Sequence, residues 1–309
     1  MSYADKVFKE TIRKILDEGI SDEGMEVRTR WEDGTPAHTI GIFGVSNRYD
    51  LSKEFPILTI RRTFWKSAWD EMLWIWQRKS NNIKDLGPKG IWQAWTDESG
   101  SIGKAYGYQM GVLHKYKDIT PEGLKKAFGD DLHNRTITIS EDGLYCLDQT
   151  DWLIYQLVNN PASRRHHVTY WQPDDMHAMS LAPCAHSITF CVLGNKLNAT
   201  LTQRSQDMLA ASNWNCVQYA LLVYSLAAAY GFEPGELVHN ISHCHLYIGN
   251  ESNPGHIEIA KELLEKEEFE APKLWIDPEV KSFYDFTKDS FKLEDYKYNE
   301  FNHKIPIAI

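Results

Sequence analysis

Apolar residues recur at helical spacing over residues 3–18, with Val7, Ile12, Ile15 and Leu16 on one side. "WEDGTPAHT" (31–39) is rich in turn formers, and "TIGIFGV" after it reads as a strand. "SAWDEMLWIWQ" (67–77) predicts a strongly apolar helix with two carboxylates inside it. Residues 80–110 mix Gly, Asn, Trp and Tyr without a period, which predicts a structured loop region, a common setting for sites. "ITPEGLKKAFGDDL" starts a helix at Thr120 with Pro121 in its first position.

The second half is more regular. "DWLIYQLVNNPASRRHHVTYW" reads as helix, turn and strand. Strands over 186–193 and 197–204 are separated by "GNK", a hairpin signal. "NCVQYALLVYSLAAAYG" (215–231) is a long buried-type helix ended by Gly231. "ELVHNISHCHLYIG" alternates as a strand, "GHIEIAKELLEKE" returns to helix, and the rest holds short strand-like pieces. No internal repeat, low-complexity stretch or linker interrupts the pattern, so residues 1–309 read as one α+β domain.

Composition narrows the function classes. The chain has 42% apolar and 25% charged residues, an ordinary globular mix, and eleven Trp that supply large stacking surfaces. A net charge of −10 argues against DNA or an anionic membrane as partner, without excluding a basic pocket for a single phosphate. Five Cys with no CxxC pair, an amphipathic start and no apolar run of spanning length point to free thiols in a reducing cytoplasm.

Candidate chemistry centres on "SLAPCAHSITFCV" (180–192), where Cys184 follows a proline and precedes a strand. A thiolate is a good nucleophile, and neighbouring cations favour it, although a cysteine near a strand is more often a core residue. "PASRRHH" and "LTQRSQD" place Ser163, Arg164 and Arg165, then Arg204 and Ser205, on either side of Cys184. Guanidinium forks and hydroxyls are the donors a phosphate dianion needs, so a phosphorylated small molecule beside a thiol is the reading. The bland alternative is a solvated face. Glu71 sits in the apolar helix, where a carboxylate is costly unless paired or at work, and Asp70 reads as its solvated neighbour. His239, His243 and His245 share a strand face. They suggest either a polar cleft wall or a metal site, but no acidic partner stands at ligand spacing and no metal is expected.

Ten blocks in order, among them "VRTRWEDGTPAHT", "FPILTIRRTFWKSAWDEMLWIW", "IWQAW", "GKAYGYQMG", "SRRHHVTYWQPDD", "LAPC", "QRSQDM", "NWNCVQYALL" and "HCHLY", resemble the thymidylate synthase family over nearly the whole chain. The likeness is greatest to the branch found in some Gram-positive bacteria and their phages. It implies an α+β domain with a mixed sheet covered by helices, one sheet face forming a homodimer interface. It implies reductive methylation of dUMP at C5 with 5,10-methylenetetrahydrofolate as co-substrate, giving dTMP and dihydrofolate.

Carried onto this sequence, the resemblance implies that Cys184 is the nucleophile at C6 and that Arg28, Arg204 and Ser205 hold the phosphate. Arg164 and Arg165 would reach the other subunit's phosphate. Asn215 would read the uracil edge, and His245 with Tyr247 would bind the 3′-hydroxyl. Glu71 would move protons through ordered water, with Tyr106 near the nucleophile. Trp92, Asp207 and Ala211 would meet the folate, and Ala308 with Ile309 would close over it.

The chain departs from the family pattern at Ala182, Ala185, Ala211, Asn213-Trp214 and, most sharply, at Ser242-His243, where a small residue and an Asp are usual. That altered shell is the support for a runner-up, a dUMP 5-hydroxymethylase in which water replaces hydride. A metal hydrolase built on the three histidines and a catalytically dead nucleotide-binding protein are the readings from other classes.

Overall fold

The computed structural model describes residues 1–87 and 90–309, and side chains of 1–87 and 92–309. In chain order the elements are α1 (Tyr3–Glu18), β1 (Ile20–Ser21), β2 (Thr39–Asp50), α2 (Trp65–Trp76), α3 (Gly107–Gly111), β3 (His114–Tyr116), α4 (Pro121–Phe128), β4 (Thr138–Ile139), β5 (Tyr145–Leu147), α5 (Gln149–Asn159), β6 (His166–Thr169), β7 (Ala185–Leu193), β8 (Lys196–Asp207), α6 (Ser212–Tyr230), β9 (Glu233–Tyr247), α7 (Ile257–Glu265), β10 (Lys273–Ile276) and β11 (Phe291–Glu294). Short 3-10 turns fill much of 83–95. The expected helices and strands are present. The strands after residues 39 and 196 run further than the pattern predicted, and the helix expected from 215 begins at Ser212.

Six strands form the main sheet in the order β1-β2-β9-β8-β7-β6. Only β8 and β9 are parallel, so the sheet is mixed, as expected. α6 makes the β8–β9 crossover possible, because parallel neighbours need a long connection. It is buried on almost every side from Cys216 to Ala227, which matches its unbroken apolar composition. It ends at Gly231, whose φ of 77° is the left-handed conformation that stops a helix. α4 starts as predicted, with the Thr120 side chain accepting from Gly123 N and Pro121 at the first turn.

α1, α2 and α6 pack on one face of the sheet around Phe55, Trp69, Trp74, Trp76, Phe190 and Leu221. Side chains of β7, β8 and β9 alternate accordingly. Ile188, Phe190, Leu201, Leu237 and Ile241 are buried, while Thr189, Cys191, Thr200, Thr202, Val238 and Asn240 on the other face are half-exposed. The alternation breaks at Arg204-Ser205 on β8 and at Ser242-His243 on β9, two places that lie side by side in register through Ser205 and His243. A second irregularity lies on β7 between Ala185 and Ser187, directly after Cys184. Bulged strands bend and re-aim side chains, and these interruptions gather at one end of the sheet. Among the described residues no helix is long and apolar enough to cross a membrane.

Tyr106 enters α3 with φ 44°, a costly conformation for a non-glycine residue. It is held there because Gly107 lies flat against the Ser80 carbonyl, where a Cβ would collide with backbone. Gly107→Ala is expected to destabilise the protein by about 1–3 kcal/mol, the usual range for overpacking. The midpoint of urea unfolding checks this, and an unchanged midpoint would show that the contact yields.

Candidate active site

Cys184 stands at the turn into β7, half-buried. The neighbouring strand β8 supplies Arg204, whose guanidinium wraps the turn. Its Nε donates to the Pro183 carbonyl at 3.2 Å, and its Nη2 to the Ala182 carbonyl at 2.7 Å and to Cys184 Sγ at 3.5 Å. The backbones are joined as well, Arg204 N donating to Cys184 O at 2.9 Å. From the opposite side the Tyr106 hydroxyl accepts from Cys184 N at 3.0 Å. The sulfur is thus fixed by its own turn, a strand neighbour and a loop residue far away in sequence.

A cation beside the sulfur does not by itself make a thiolate. Burial pushes the Cys184 thiol up, and the opposing pull of Arg204 and Arg28 does not cancel it. Arg204 does favour the thiolate, as the sequence suggested, but desolvation outweighs it and the net direction is toward the thiol. Arg28 itself is exposed, with its charge felt at both Cys184 and Tyr247.

The two carboxylates of α2 have different fates. Asp70 is not solvated, as the sequence suggested. It is 2% exposed and paired with Arg78 at 2.9 Å and Lys288 at 2.7 Å, and these hold its pKa below the usual range despite burial. The cations come from Arg78, just beyond α2, and Lys288, more than two hundred residues away, so no local pattern announces them. Among the described residues Glu71 has no cation partner. Burial raises its pKa, while the polar groups of Trp92, Gln218 and Trp214 pull the other way. Gln218 Nε2 donates to Glu71 Oε1 at 2.8 Å. A buried carboxylate whose pKa is raised, facing aromatic walls, suits general acid–base work.

Asn215 sits on the first turn of α6 between two glutamines. Its Oδ1 accepts from Gln203 Nε2 at 3.2 Å and its Nδ2 donates to Gln218 Oε1 at 3.0 Å. Each amide atom keeps one further hydrogen-bonding position for a ligand. Gln203 and Gln218 went unrecognised in the sequence. Gln218 follows Asn215 by three residues, so helical spacing alone puts the two side chains together. Arg61 was also missed. It is half-buried, desolvation lowers its pKa to about 10, and it lies close enough to Asp207 to feel its charge.

The three histidines of β9 do not converge. His239 is buried in the core, with Nε2 2.7 Å from Gln203 Oε1 and a pKa pushed down to about 4 by desolvation. His243 and His245 lie past the break in alternation, about 13 Å or more along the strand, and stack at 4.9 Å. Among the described residues no group of three His, Cys, Asp or Glu side chains is placed to hold a metal. His243 is exposed, and partial desolvation of its ring by the neighbouring protein lowers its pKa. His245 is 5% exposed, is pushed down to about 4, and among the described residues has no partner on either ring nitrogen. Such orphaned atoms await a ligand. Its ring meets Tyr247 edge-on at 5.1 Å.

Asp207 ends β8. Its Oδ1 accepts from Leu209 N at 2.9 Å and Ala210 N at 3.0 Å, which leaves Oδ2 free to accept from a ligand. Ala211 caps the following helix, and Trp92 is buried among Trp74, Trp95 and Tyr106. The last residues lie along the Arg28 segment. Ile309 exchanges both backbone hydrogen bonds with Arg30, at 2.7 and 2.9 Å, and Ala308 packs with Trp31 and Tyr247. His256 Nε2 donates to the Pro306 carbonyl at 2.8 Å and its Nδ1 is 3.5 Å from Asp207 Oδ1. Ser205 is half-buried beside Arg204. Arg164 and Arg165 are exposed on the loop before β6, and no side-chain hydrogen bond or ion pair joins them to this cluster among the described residues.

The thymidylate synthase family model matches residues 6–309. A thymidylate synthase of Bacillus subtilis subsp. natto is 43% identical over 303 residues, 97% of each chain. One from Bacillus phage phi3T is 42% identical over the same share. Among solved structures, the thermostable thymidylate synthase A from Bacillus subtilis superposes with a TM-score of 0.83 at 40% identity, covering 100% of both chains. With a thiol, a buried carboxylate and a held amide gathered at one end of such a sheet, the chain belongs to the thymidylate synthase family.

Proposed function

We propose that this chain converts dUMP and 5,10-methylenetetrahydrofolate to dTMP and dihydrofolate, as one catalytic domain over residues 1–309. The observation that carries the proposal is the placement of Cys184 Sγ 3.5 Å from Arg204 Nη2, in a family whose relatives are named for this activity. Those names favour hydride over water as the final quench, and so favour the synthase over the hydroxymethylase.

Arg204, Ser205 and Arg28 hold the phosphate. Arg204 spends Nε and Nη2 on its own turn and keeps Nη1 for the ligand. His245 and Tyr247 bind the 3′-hydroxyl, a role suited to a neutral imidazole without protein partners. Asn215 accepts from uracil N3–H and donates to O4. Cys184, after its proton passes to solvent water, adds as the thiolate to C6, and the electron pair displaced from the C5–C6 bond makes C5 nucleophilic. Methylenetetrahydrofolate supplies the one-carbon unit and then the hydride. Asp207, through Oδ2, together with Trp92 and Ala211, orients the pterin, and Ala308 and Ile309 cover it. Glu71 takes the C5 proton through water, and Tyr106 steadies the Cys184 turn by its hydrogen bond.

The half-exposed sheet face of Thr189, Thr200, Thr202, Val238 and Asn240 is proposed as the surface of a homodimer. Arg164 and Arg165, exposed and apart from their own site, would complete the partner's phosphate site. The proposed setting is the cytoplasm of a bacterium or a phage-infected cell, in line with the sources of the relatives.

The mass of the nucleotide product, with absorbance followed for dihydrofolate, tests the reaction. A methylated product is expected. A hydroxymethylated one with tetrahydrofolate released would replace the reading, and Cys184→Ala should abolish turnover while dUMP still binds. Because burial raises the thiol, alkylation of Cys184 in the free protein should accelerate about tenfold per pH unit up to at least about pH 8.5. Peptide mass spectrometry after iodoacetamide measures this, and a plateau near neutrality would mean a preformed thiolate. Mixing inactive Cys184→Ala with inactive Arg164→Ala/Arg165→Ala protein should restore activity through mixed dimers. No recovery after verified subunit exchange would rule out sharing of those arginines.

A further inference from the structure

An asparagine does not discriminate uracil from cytosine unless its amide is held in one sense. Uracil offers N3–H and O4, and cytosine offers N3 and an N4 amino group. An Asn turned by 180° about its last bond therefore reads cytosine as well as its original pose reads uracil. Something must prevent the flip.

We propose that Gln218 is a positioning residue that locks Asn215 in its uracil-reading sense and ties that lock to Glu71. The inference rests on the reaction proposed above. Gln218 is 2% exposed, so its amide must find protein partners. Its NH2 group donates to Glu71 Oε1 at 2.8 Å and to the Ala68 carbonyl at 3.3 Å. A main-chain carbonyl only accepts, so the NH2 end of Gln218 must face α2. The Oε1 end then faces Asn215, and Asn215 must present its NH2 there, at 3.0 Å.

The other side of Asn215 is fixed independently. Gln203, 1% exposed, points its NH2 at the Ser205 carbonyl at 3.0 Å and at Asn215 Oδ1 at 3.2 Å. Its oxygen takes the proton of His239 Nε2 at 2.7 Å. Two main-chain carbonyls, one on α2 and one on β8, thereby set the sense of three amides in series. A flipped Asn215 would set NH2 against NH2 and oxygen against oxygen, leaving buried groups unpaired on both sides. The same Gln218 amide bridges the base reader to Glu71, so the proton-transfer group and the base-recognition group share one support.

The test compares kcat/KM for dUMP and dCMP in the wild-type protein, Gln218→Met and Gln218→Glu. Met fills the space but removes the restraint on Asn215 Nδ2, leaving only the longer 3.2 Å contact from Gln203, and the preference for dUMP should fall at least about tenfold. Gln218→Glu keeps an oxygen toward Asn215 but loses the donor to Glu71 and adds a second carboxyl beside it. Its preference should stay within about twofold of wild type, while kcat falls and the acid limb of the pH profile moves. A folded Gln218→Met with unchanged preference overturns the proposal, as does a Gln218→Glu protein that loses preference as completely as Gln218→Met. Should Gln218→Met not fold, Gln203→Met replaces it, with the same loss expected and retention of preference overturning the lock. If wild type turns over neither nucleotide, the reaction proposed above fails by itself. The lock is then judged by the same ratios in dUMP and dCMP dissociation constants from calorimetry.

Discussion

The wrapping of the Cys184 turn by Arg204 is the contact on which the site depends. One guanidinium satisfies two backbone carbonyls and touches the sulfur, so the turn into β7 and the strand β8 become one unit. Hydrogen bonds to a charged donor are worth roughly 1.5–3 kcal/mol each, enough to hold a turn that would otherwise expose its carbonyls. The strand register makes it possible. Ala185 pairs with Gln203, which brings Arg204 beside the residue just before the strand. The irregularity after Ala185 and the broken alternation at Arg204-Ser205 turn both side chains toward the same opening.

Adjacent carboxylates in α2 show how burial is resolved in two ways. Asp70 receives two cations and is a structural anchor between the helix, the residue chain just after it and the later loop at Lys288. Glu71 receives an amide and indoles but, among the described residues, no cation, and its pKa rises. The difference between a fixed ion pair and a group free to exchange a proton is set by which partners the fold delivers.

The final residues add a further coupling. They pair with Arg30, pack on Tyr247 and hang from His256, which is in turn close to Asp207. The segment thus touches Tyr247, placed against the sugar in the proposed reaction, and His256, which neighbours Asp207.

Periodicity was sufficient for the elements themselves, because burial against a single core imposes a 3.6-residue or two-residue repeat that the chain must display. Cys184, Glu71, Arg204 and Asn215 were legible because the sequence blocks around them are distinctive. Tertiary structure decided the rest. Whether Asp70 was solvated depended on Lys288 arriving from the far end of the chain. Whether three histidines on one strand formed a cluster depended on a break in alternation that no local pattern marks. Whether Cys184 was ionised depended on desolvation outweighing Arg204, a balance of burial that sequence does not contain. Gln203 and Gln218 gained their meaning only when α2, α6, β8 and β9 met, since a glutamine is unremarked in a sequence until its two ends have been given different partners.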